Sequence, residues 1–333
     1  MERSRIFAIG AWGIAALFLG AVLAVGIATG GFGLGQLTRP AGEAPGEAEA
    51  WDTDYRYSWD VTEDPVIGLD ISWFHGPIEL KVGDGNLIYI TEWSTGELEE
   101  EAKLELSSSG GVLTIKWNSQ LLALDMLDTR SKSLAVQVPR QVVDQLEELR
   151  CTAVSGDVTA RGFSAGEMEI ASDAGELALS DLKADRASFR ASSGTLRLEN
   201  ARVAGELLAE SGSGLLELWN VSAGEAALTS VSGDVYYQGE AEKFSAGTIS
   251  GAVEAALGKA PDLARFSSVS GGLTLALPED TGFEAAFSSV SGGFRSDFPV
   301  NGAAGASGRA LYGDGRSKLE FATTSGQMVV AKG

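Results

Sequence analysis

The feature that most constrains the fold is a glycine that returns about every twenty residues through the second half of the chain. Nine such glycines follow Ser155, at steps of 19, 19, 20, 19, 18, 20, 21 and 34 residues. They are Gly156, Gly175, Gly194, Gly214, Gly233, Gly251, Gly271, Gly292 and Gly326. A period of this length is typical of solenoids, in which each repeat is one coil that stacks on the next.

Apolar residues keep fixed distances from these glycines. The position two residues after the glycine is apolar in every repeat, as are the positions five and seven residues before it; in the first repeat these are Val158, Cys151 and Leu149. Such alternation is the period of a β-strand with one buried face. The inward positions are at odd distances before the glycine and at even distances after it. We therefore expect a strand on each side of the glycine and a sharp bend between them.

The residue just before the glycine is serine in eight of the nine repeats, and Ala174 is the exception. We expect these serines to lie at the corner, where hydroxyls stacked about 4.8 Å apart can hydrogen-bond from coil to coil. One corner position explains all the copies, so a catalytic role for any of them is disfavoured. His75, the only histidine, holds the same position before Gly76 and is interpreted as a packed or capping residue.

Two earlier glycines, Gly76 and Gly111, fit the template at wider spacing. Their predicted inward residues are Leu69, Ile71, Ile78 and Leu80 for the first, and Leu104, Leu106, Leu113 and Ile115 for the second. The stretch from Gln120 to Glu148 is less regular and predicts an insertion or an irregular coil. The segments 51–66 and 301–309 are the expected caps of the open ends, where an unpaired strand edge would otherwise template association.

The N-terminal segment has no charged residue from Ile6 to Gln36. Ile6 to Ala28 alone exceeds the roughly 20 residues that span a bilayer core as a helix. Arg3 and Arg5 precede this run, so the positive-inside rule predicts a cytoplasmic N-terminus and an extracytoplasmic position for residues 40–333. A cleaved signal peptide is the alternative, although its apolar core is usually only about 7 to 15 residues long.

These patterns together predict an all-β chain. The expected fold is a single-stranded parallel β-solenoid, or β-helix, of 19–20-residue coils, preceded by one N-terminal transmembrane helix. The predicted divisions are a cytoplasmic N-terminus (1–5), a transmembrane anchor (6–28), a flexible linker (29–50), irregular β-rich lead-in coils (51–150) and regular solenoid repeats (151–333).

The formal net charge of −21 disfavours nucleic acids and anionic lipid heads as partners. Asp84 and Asp314 lie in Gly-Asp-Gly turns, but neither is followed by the acidic spacing of a calcium loop. With one histidine and one inward-facing cysteine, Cys151, the familiar catalytic triads and multi-histidine zinc sites are disfavoured. We therefore predict no catalytic residues, no bound metal and no cofactor.

Two aromatic residues of the regular array, Trp219 and Tyr236, fall on outward positions. Aromatic rings on the face of a solenoid can stack on sugars or anchor a protein partner, so these two residues define a possible ligand face. The alternative is that isolated exposed aromatics are ordinary and carry no function.

Several segments resemble a bacterial β-strand-repeat family labelled "putative adhesin", a domain of unknown function. The similarity lies in the strand Leu134-Ala-Val-Gln-Val-Pro139, the repeated Val-Ser-Gly-Asp-Val and Val-Ser-Gly-Gly-Leu units, and the ending Ala322-Thr-Thr-Ser-Gly-Gln-Met-Val-Val330. It covers most of residues 65–333 and implies a membrane-tethered protein of the cell envelope, in a family without established catalytic residues.

The sequence thus predicts a non-enzymatic, membrane-tethered and extracytoplasmic protein that binds or scaffolds at the cell envelope as an adhesin-like module. Cell-wall glycan or another envelope protein is the expected partner. Two alternatives stay open: a regulatory or sensor partner of an envelope-stress system, which rests on the resemblance and the anchor, and a carbohydrate-active β-helix enzyme, which rests on the fold and the abundant carboxylates.

Overall fold

The computed structural model describes residues 53–118, 131–302 and 305–333, and their regular structure is almost entirely β-strand. A 3₁₀ turn spans Glu100–Ala102, and one helical turn, α1, spans Arg140–Val143. The strands are β1 (Thr53–Asp60), β2 (Gly68–His75), β3 (Ile78–Gly83), β4 (Leu87–Ser94), β5 (Glu105–Ser109), β6 (Val112–Lys116), β7 (Lys132–Pro139), β8 (Glu148–Ser155), β9 (Val158–Arg161), β10 (Ser164–Ala174), β11 (Leu177–Ser180), β12 (Lys183–Ser193), β13 (Leu196–Glu199), β14 (Arg202–Ser213), β15 (Leu216–Ser232), β16 (Val235–Ser250), β17 (Val253–Leu257), β18 (Leu263–Ser270), β19 (Leu273–Leu277), β20 (Phe283–Ser291), β21 (Phe294–Ser296), β22 (Asn301–Gly302), β23 (Ser307–Tyr312), β24 (Ser317–Ser325) and β25 (Met328–Lys332).

The all-β architecture agrees with the sequence, but the transmembrane part of the predicted fold class requires correction. Within the described ranges, no helix has the length and apolar character needed to cross a bilayer. The chain there forms β-strands, and α1 is a single turn. The predicted span at residues 6–28 lies outside the described residues.

The strands on the two sides of each repeat glycine build two parallel ladders. The first ladder contains the strands that precede the glycines, with β8, β10, β12 and β14 as successive neighbours. The second ladder contains the strands that follow them, with β9, β11 and β13 as successive neighbours. Equivalent positions of successive repeats lie opposite each other. Leu177, for example, lies opposite Val158 on one side and Leu196 on the other. The long strands β15 and β16 take part in both ladders.

The predicted inward positions are confirmed. All nine residues two places after the glycines are buried, and so are all those five and seven places before them; Val235, Leu228 and Ala226 show this around Gly233. These residues belong to one continuous apolar cluster that runs through the whole stack. Each coil therefore depends on its neighbours for burial, as expected for a solenoid.

The repeat glycines lie at the first corner of each coil, between the two ladders. Their φ angles range from 131° to 158° at every repeat glycine except Gly292. Successive corners are also in close contact, because a Cβ added to Gly214 would lie 2.1 Å from the carbonyl oxygen of Gly194. Glycine is therefore required at this corner for both its backbone angle and its lack of a side chain.

The corner serines are mostly exposed, and their predicted hydroxyl ladder is wrong. Among the described residues, the one hydroxyl contact at this position is between His75 Nδ1 and Ser155 Oγ, at 3.3 Å. Hydroxyl side chains instead form a buried column three residues before the glycine. Its members are Ser172, Ser211, Ser230, Thr248, Ser268 and Thr323.

The predicted coil around Gly111 is also wrong. β5 and β6 form an antiparallel hairpin, and its turn contains Gly110 and Gly111, with φ angles of 60° and 80°. β6 then joins the first ladder beside β2, with Leu113 opposite Leu69. The inward residues Leu104 and Leu113 are buried nevertheless, because a hairpin with one apolar face shows the same alternation as a coil.

At both ends the spatial order of the coils differs from their order in the chain. The coil β2/β3 lies between β6/β7 and β8/β9. The last coil in the chain, β24/β25, lies between β18/β19 and β20/β21. Antiparallel strands flank the outer coils, with β4 and β1 beside β7 and with β23 and β22 beside β20.

Candidate functional site

A second corner, where the chain returns from the second ladder to the first, is built by left-handed residues. Gly162, Asp181, Asn200 and Asn220 occupy this corner in four successive coils, with φ angles of 79°, 57°, 56° and 55°. Asparagine and aspartate tolerate this conformation better than other side chains do. The next residue in each coil turns inward and is buried, as Leu182 is. The corner therefore holds polar side chains outside and apolar ones inside.

The polar side chains of this second corner are linked from coil to coil. Asn220 Nδ2 donates to Asn200 Oδ1 at 2.8 Å, and Asn200 Nδ2 donates to Asp181 Oδ1 at 3.3 Å. Arg161 Nε donates to the other oxygen of Asp181 at 3.0 Å. Each amide still has a second N–H, and Asn220 keeps its carbonyl oxygen as an acceptor. The row is thus held in place while it still offers hydrogen-bonding groups to solvent.

A groove of about 1160 Å³ runs along this corner. Its wall crosses six coil levels, from Asp181 to Pro278, so it is about 24 Å long at roughly 4.8 Å per coil. The polar side chains that line it are those of Asp181, Lys183, Asn200, Arg202, Asn220, Ser222, Gln238 and Glu240. An open, elongated groove with a row of amides fits an extended chain better than a compact small molecule.

Most basic residues of the regular coils are paired with a carboxylate on a neighbouring coil. Eight basic residues occur from Arg150 to Lys243. Six form ion pairs, namely Arg150, Arg161, Arg186, Arg190, Arg197 and Lys243. Lys183 and Arg202 form no ion pair with any described residue, and both line the groove. Two cations on an otherwise acidic body are thus left to face the groove without a carboxylate from the described part of the chain.

The structure does not bring the predicted ligand-face residues into direct opposition. Trp219 is 40% exposed and precedes Asn220, beside the groove, but it lies opposite Gln238 in the next coil. Tyr236 lies opposite Glu217 and Glu254. Partial desolvation raises the pKa of the Tyr236 phenol, and nearby carboxylates, led by Asp234, add to the shift. Trp219 likewise lies opposite a carboxylate, Glu199, in the preceding coil.

Other residues singled out in the sequence form no reactive constellation. Burial raises the pKa of the Cys151 thiol to about 12, which keeps it protonated at neutral pH. Asp314 is paired with Arg316 through Nε and Oδ2 at 2.6 Å, and Asp84 is exposed in its turn. Across residues 53–118, 131–302 and 305–333, no group of three or more His, Cys, Asp or Glu side chains is placed to hold a metal ion.

The second corner and its groove did not emerge from the sequence, although a signal was present. Gly162, Asp181, Asn200 and Asn220 each stand six residues after a repeat glycine. Glycine, asparagine and aspartate in one register indicate a left-handed turn. The apolar alternation identifies only the inward positions, and outward corner residues resemble any other polar surface.

Comparisons with known proteins give one family and several structures. A family model described as Toastrack DUF4097 matches residues 68–330. A "putative adhesin" from Parabacteroides distasonis shares 11% identity over 84% of this chain and 97% of its own, with a TM-score of 0.47. One from Bacteroides fragilis shares 10% identity over 84% and 97%, with a TM-score of 0.34. No curated protein matches the chain.

Proposed function

This chain belongs to the Toastrack DUF4097 family, and we propose that it acts as a non-enzymatic, adhesin-like module that binds a glycan chain in the groove along its second corner. The observation that carries the proposal is the row of amides along that groove, in which Asn200 and Asn220 are linked by hydrogen bonds and Gln238 follows in the next coil. Amide side chains both donate and accept hydrogen bonds, as the hydroxyls of a sugar require.

The surroundings of the groove support the same ligand class. Trp219 is 40% exposed and neighbours two lining residues of the groove, Asn220 in the chain and Gln238 across the ladder, so a sugar ring can pack against it there. The Asn200 and Asn220 amides are held in place by the side-chain hydrogen bonds from Asn220 to Asn200 and from Asn200 to Asp181. A prearranged row of this kind lowers the ordering cost of binding an extended ligand.

The test is the retention of the purified full-length chain on a panel of polysaccharides and on isolated cell wall, followed by titration with soluble oligosaccharides. Trp219→Ala should weaken binding by at least about fivefold, or about 1 kcal/mol. Asn220→Gly, which keeps the left-handed turn but removes the amide, should also weaken it. Tyr89→Ala is the matched control, because Tyr89 is 47% exposed on β4, away from the groove.

Retention on a glycan that is reduced by Trp219→Ala and unchanged by Tyr89→Ala would support the groove as the site. If no polysaccharide or wall preparation retains the chain, the proposed function is wrong. If Trp219→Ala and Tyr89→Ala bind equally well, the groove is not the site.

A further inference from the structure

Two cations face each other across neighbouring coils at one end of the groove. Lys183 and Arg202 are register partners at the start of β12 and β14. Both are exposed, and neither forms an ion pair with a described residue. Like charges directly opposite each other in adjacent strands are unfavourable. This pair therefore differs from the other six basic residues between Arg150 and Lys243, each of which forms an ion pair with a carboxylate.

Lys81 and Arg161 are also register partners, but each of them forms an ion pair with a carboxylate. Arg190 pairs with Glu210 at 2.8 Å, and Arg197 pairs with Glu217 at 2.7 Å, each one coil away. A carboxylate at position 183 or 202 would complete the same kind of pair. Lys183, Arg202 and Ser222 also line a smaller hollow of about 330 Å³, so they are shared by the hollow and the groove. An anionic group can thus approach the two cations from the groove or from the hollow.

The charge of the surroundings limits what that anionic ligand can be. Asp181 is paired with Arg161, whereas Asp185 lines the hollow and Glu240 lines the groove. The whole chain carries a formal net charge of −21. Repulsion from this field grows with every negative charge on the ligand, so a polyanion is disfavoured and a ligand with one acidic group is favoured.

We propose that Lys183 and Arg202 hold the single acidic group of a glycan whose other sugars are neutral and lie along Asn200, Asn220 and Gln238. This inference rests on the proposed function, because it assigns the glycan class to the same groove. The two cations supply charge-assisted hydrogen bonds to a carboxylate or a phosphate, and the amide row supplies neutral ones to the hydroxyls.

The test compares matched probes on the full-length chain. The probes are hexasaccharides of β-1,4-linked glucose and of β-1,4-linked N-acetylglucosamine, each as the neutral sugar and as its aldonic acid, which adds one carboxylate at one end. We expect the acid to bind at least tenfold more tightly than its neutral parent, and we expect this preference to shrink as the salt concentration rises.

The K183Q/R202Q variant should lose the preference for the acid while it still binds the neutral parent. The K116Q/R295Q variant is the charge-matched control, since both residues are exposed and neither has an ion pair with a described residue. Arg202→Glu gives a second test, because it installs opposite Lys183 the kind of ion pair found in other coils. It should abolish the acid preference with an unchanged or higher melting temperature.

The outcomes separate the two proposals. Equal binding of acid and neutral probes by the wild-type chain, with K183Q/R202Q unchanged, would overturn the anionic site while glycan binding stands. An acid preference that persists in both K183Q/R202Q and Arg202→Glu would overturn it as well. If neither form of either hexasaccharide binds, the inference fails, and retention on the polysaccharide panel and the cell wall decides whether the proposed function fails with it.

Discussion

Replacing Gly214 with alanine tests the first corner most directly. Gly214 has a φ of 135°, and a Cβ there would lie 2.1 Å from the carbonyl oxygen of Gly194 and 2.7 Å from its carbon. A backbone carbonyl cannot move aside as a flexible side chain can, so the two coils must separate locally. The backbone strain costs about 1–3 kcal/mol. Each inter-coil hydrogen bond that is lost, such as that from Gly214 N to Ser232 O at 3.0 Å, costs about 1 kcal/mol more.

We therefore expect Gly214→Ala to lower the free energy of unfolding by about 2–5 kcal/mol, measured by urea denaturation of the full-length chain. The midpoint and the slope are both recorded, because a change in slope indicates a change in the unfolded state or loss of all-or-none unfolding.

Two control variants separate the causes. Gly85 has a φ of 96°, but no heavy atom lies within 4 Å of the position that a Cβ would take there, so Gly85→Ala reports backbone strain alone, about 1–2 kcal/mol. Ser213→Ala changes an exposed corner hydroxyl and should stay within about 0.5 kcal/mol of the wild type. If Gly214→Ala costs no more than Gly85→Ala, close contact between coils is not what requires glycine at the corner.

Two further predictions concern buried polar groups. Ser172 Oγ donates to Gly156 O at 2.9 Å, whereas Ser230 Oγ is buried without a partner among the described residues; Ser172→Ala should therefore cost about 0.5–1.5 kcal/mol in urea unfolding, and Ser230→Ala should be neutral or stabilising. Equal losses would contradict this reasoning. The Cys151 thiol, with its pKa raised to about 12 by burial and by Asp70, should not react with a thiol reagent at pH 8 until the chain unfolds. Because the folded pKa is raised, the stability it contributes is complete below the unfolded thiol pKa of about 8.5 and is lost as the pH rises toward the folded value. Loss of stability between these values should be smaller in Cys151→Val, and rapid labelling of the folded chain would refute the assignment.

The inward residues were predictable because burial on one face of a strand leaves a period of two in the sequence. Leu149, Cys151 and Val158 could be placed inside from that pattern alone, and all three are buried. The pattern does not identify the neighbouring strand, however. Leu104 to Ile115 alternates in the same way whether the chain forms a coil or a hairpin, and the decisive signal was the Gly110-Gly111 pair, which favours a tight hairpin turn.

The groove along the second corner was harder to predict because its parts come from separate repeats. Lys183 and Arg202 are nineteen positions apart in the sequence and become neighbours when two coils stack in register. Each is an ordinary surface residue when considered alone. The two like charges stand out only when they are compared with the cations of other coils that form ion pairs. Those ion pairs also join residues about one repeat apart, such as Arg197 and Glu217.

The interchange of coils at the two ends could not be predicted for a similar reason. Every coil presents equivalent ladder edges to its neighbours, so the local sequence pattern cannot decide which coil stacks on which. The wide spacings do carry that information: 34 residues separate Gly292 from Gly326, and 35 separate Gly76 from Gly111. A longer connection lets the chain skip one position in the stack. Near the C-terminus the chain forms the outer coil β20/β21 before the inner coil β24/β25, and near the N-terminus it forms the inner coil β2/β3 before the outer coil β6/β7. The first and last coils, β2/β3 and β24/β25, are thereby paired on both sides. The coils that then lie outermost, β6/β7 and β20/β21, are covered by the antiparallel strands β5, β4 and β23, and a covered strand edge cannot pair with another chain.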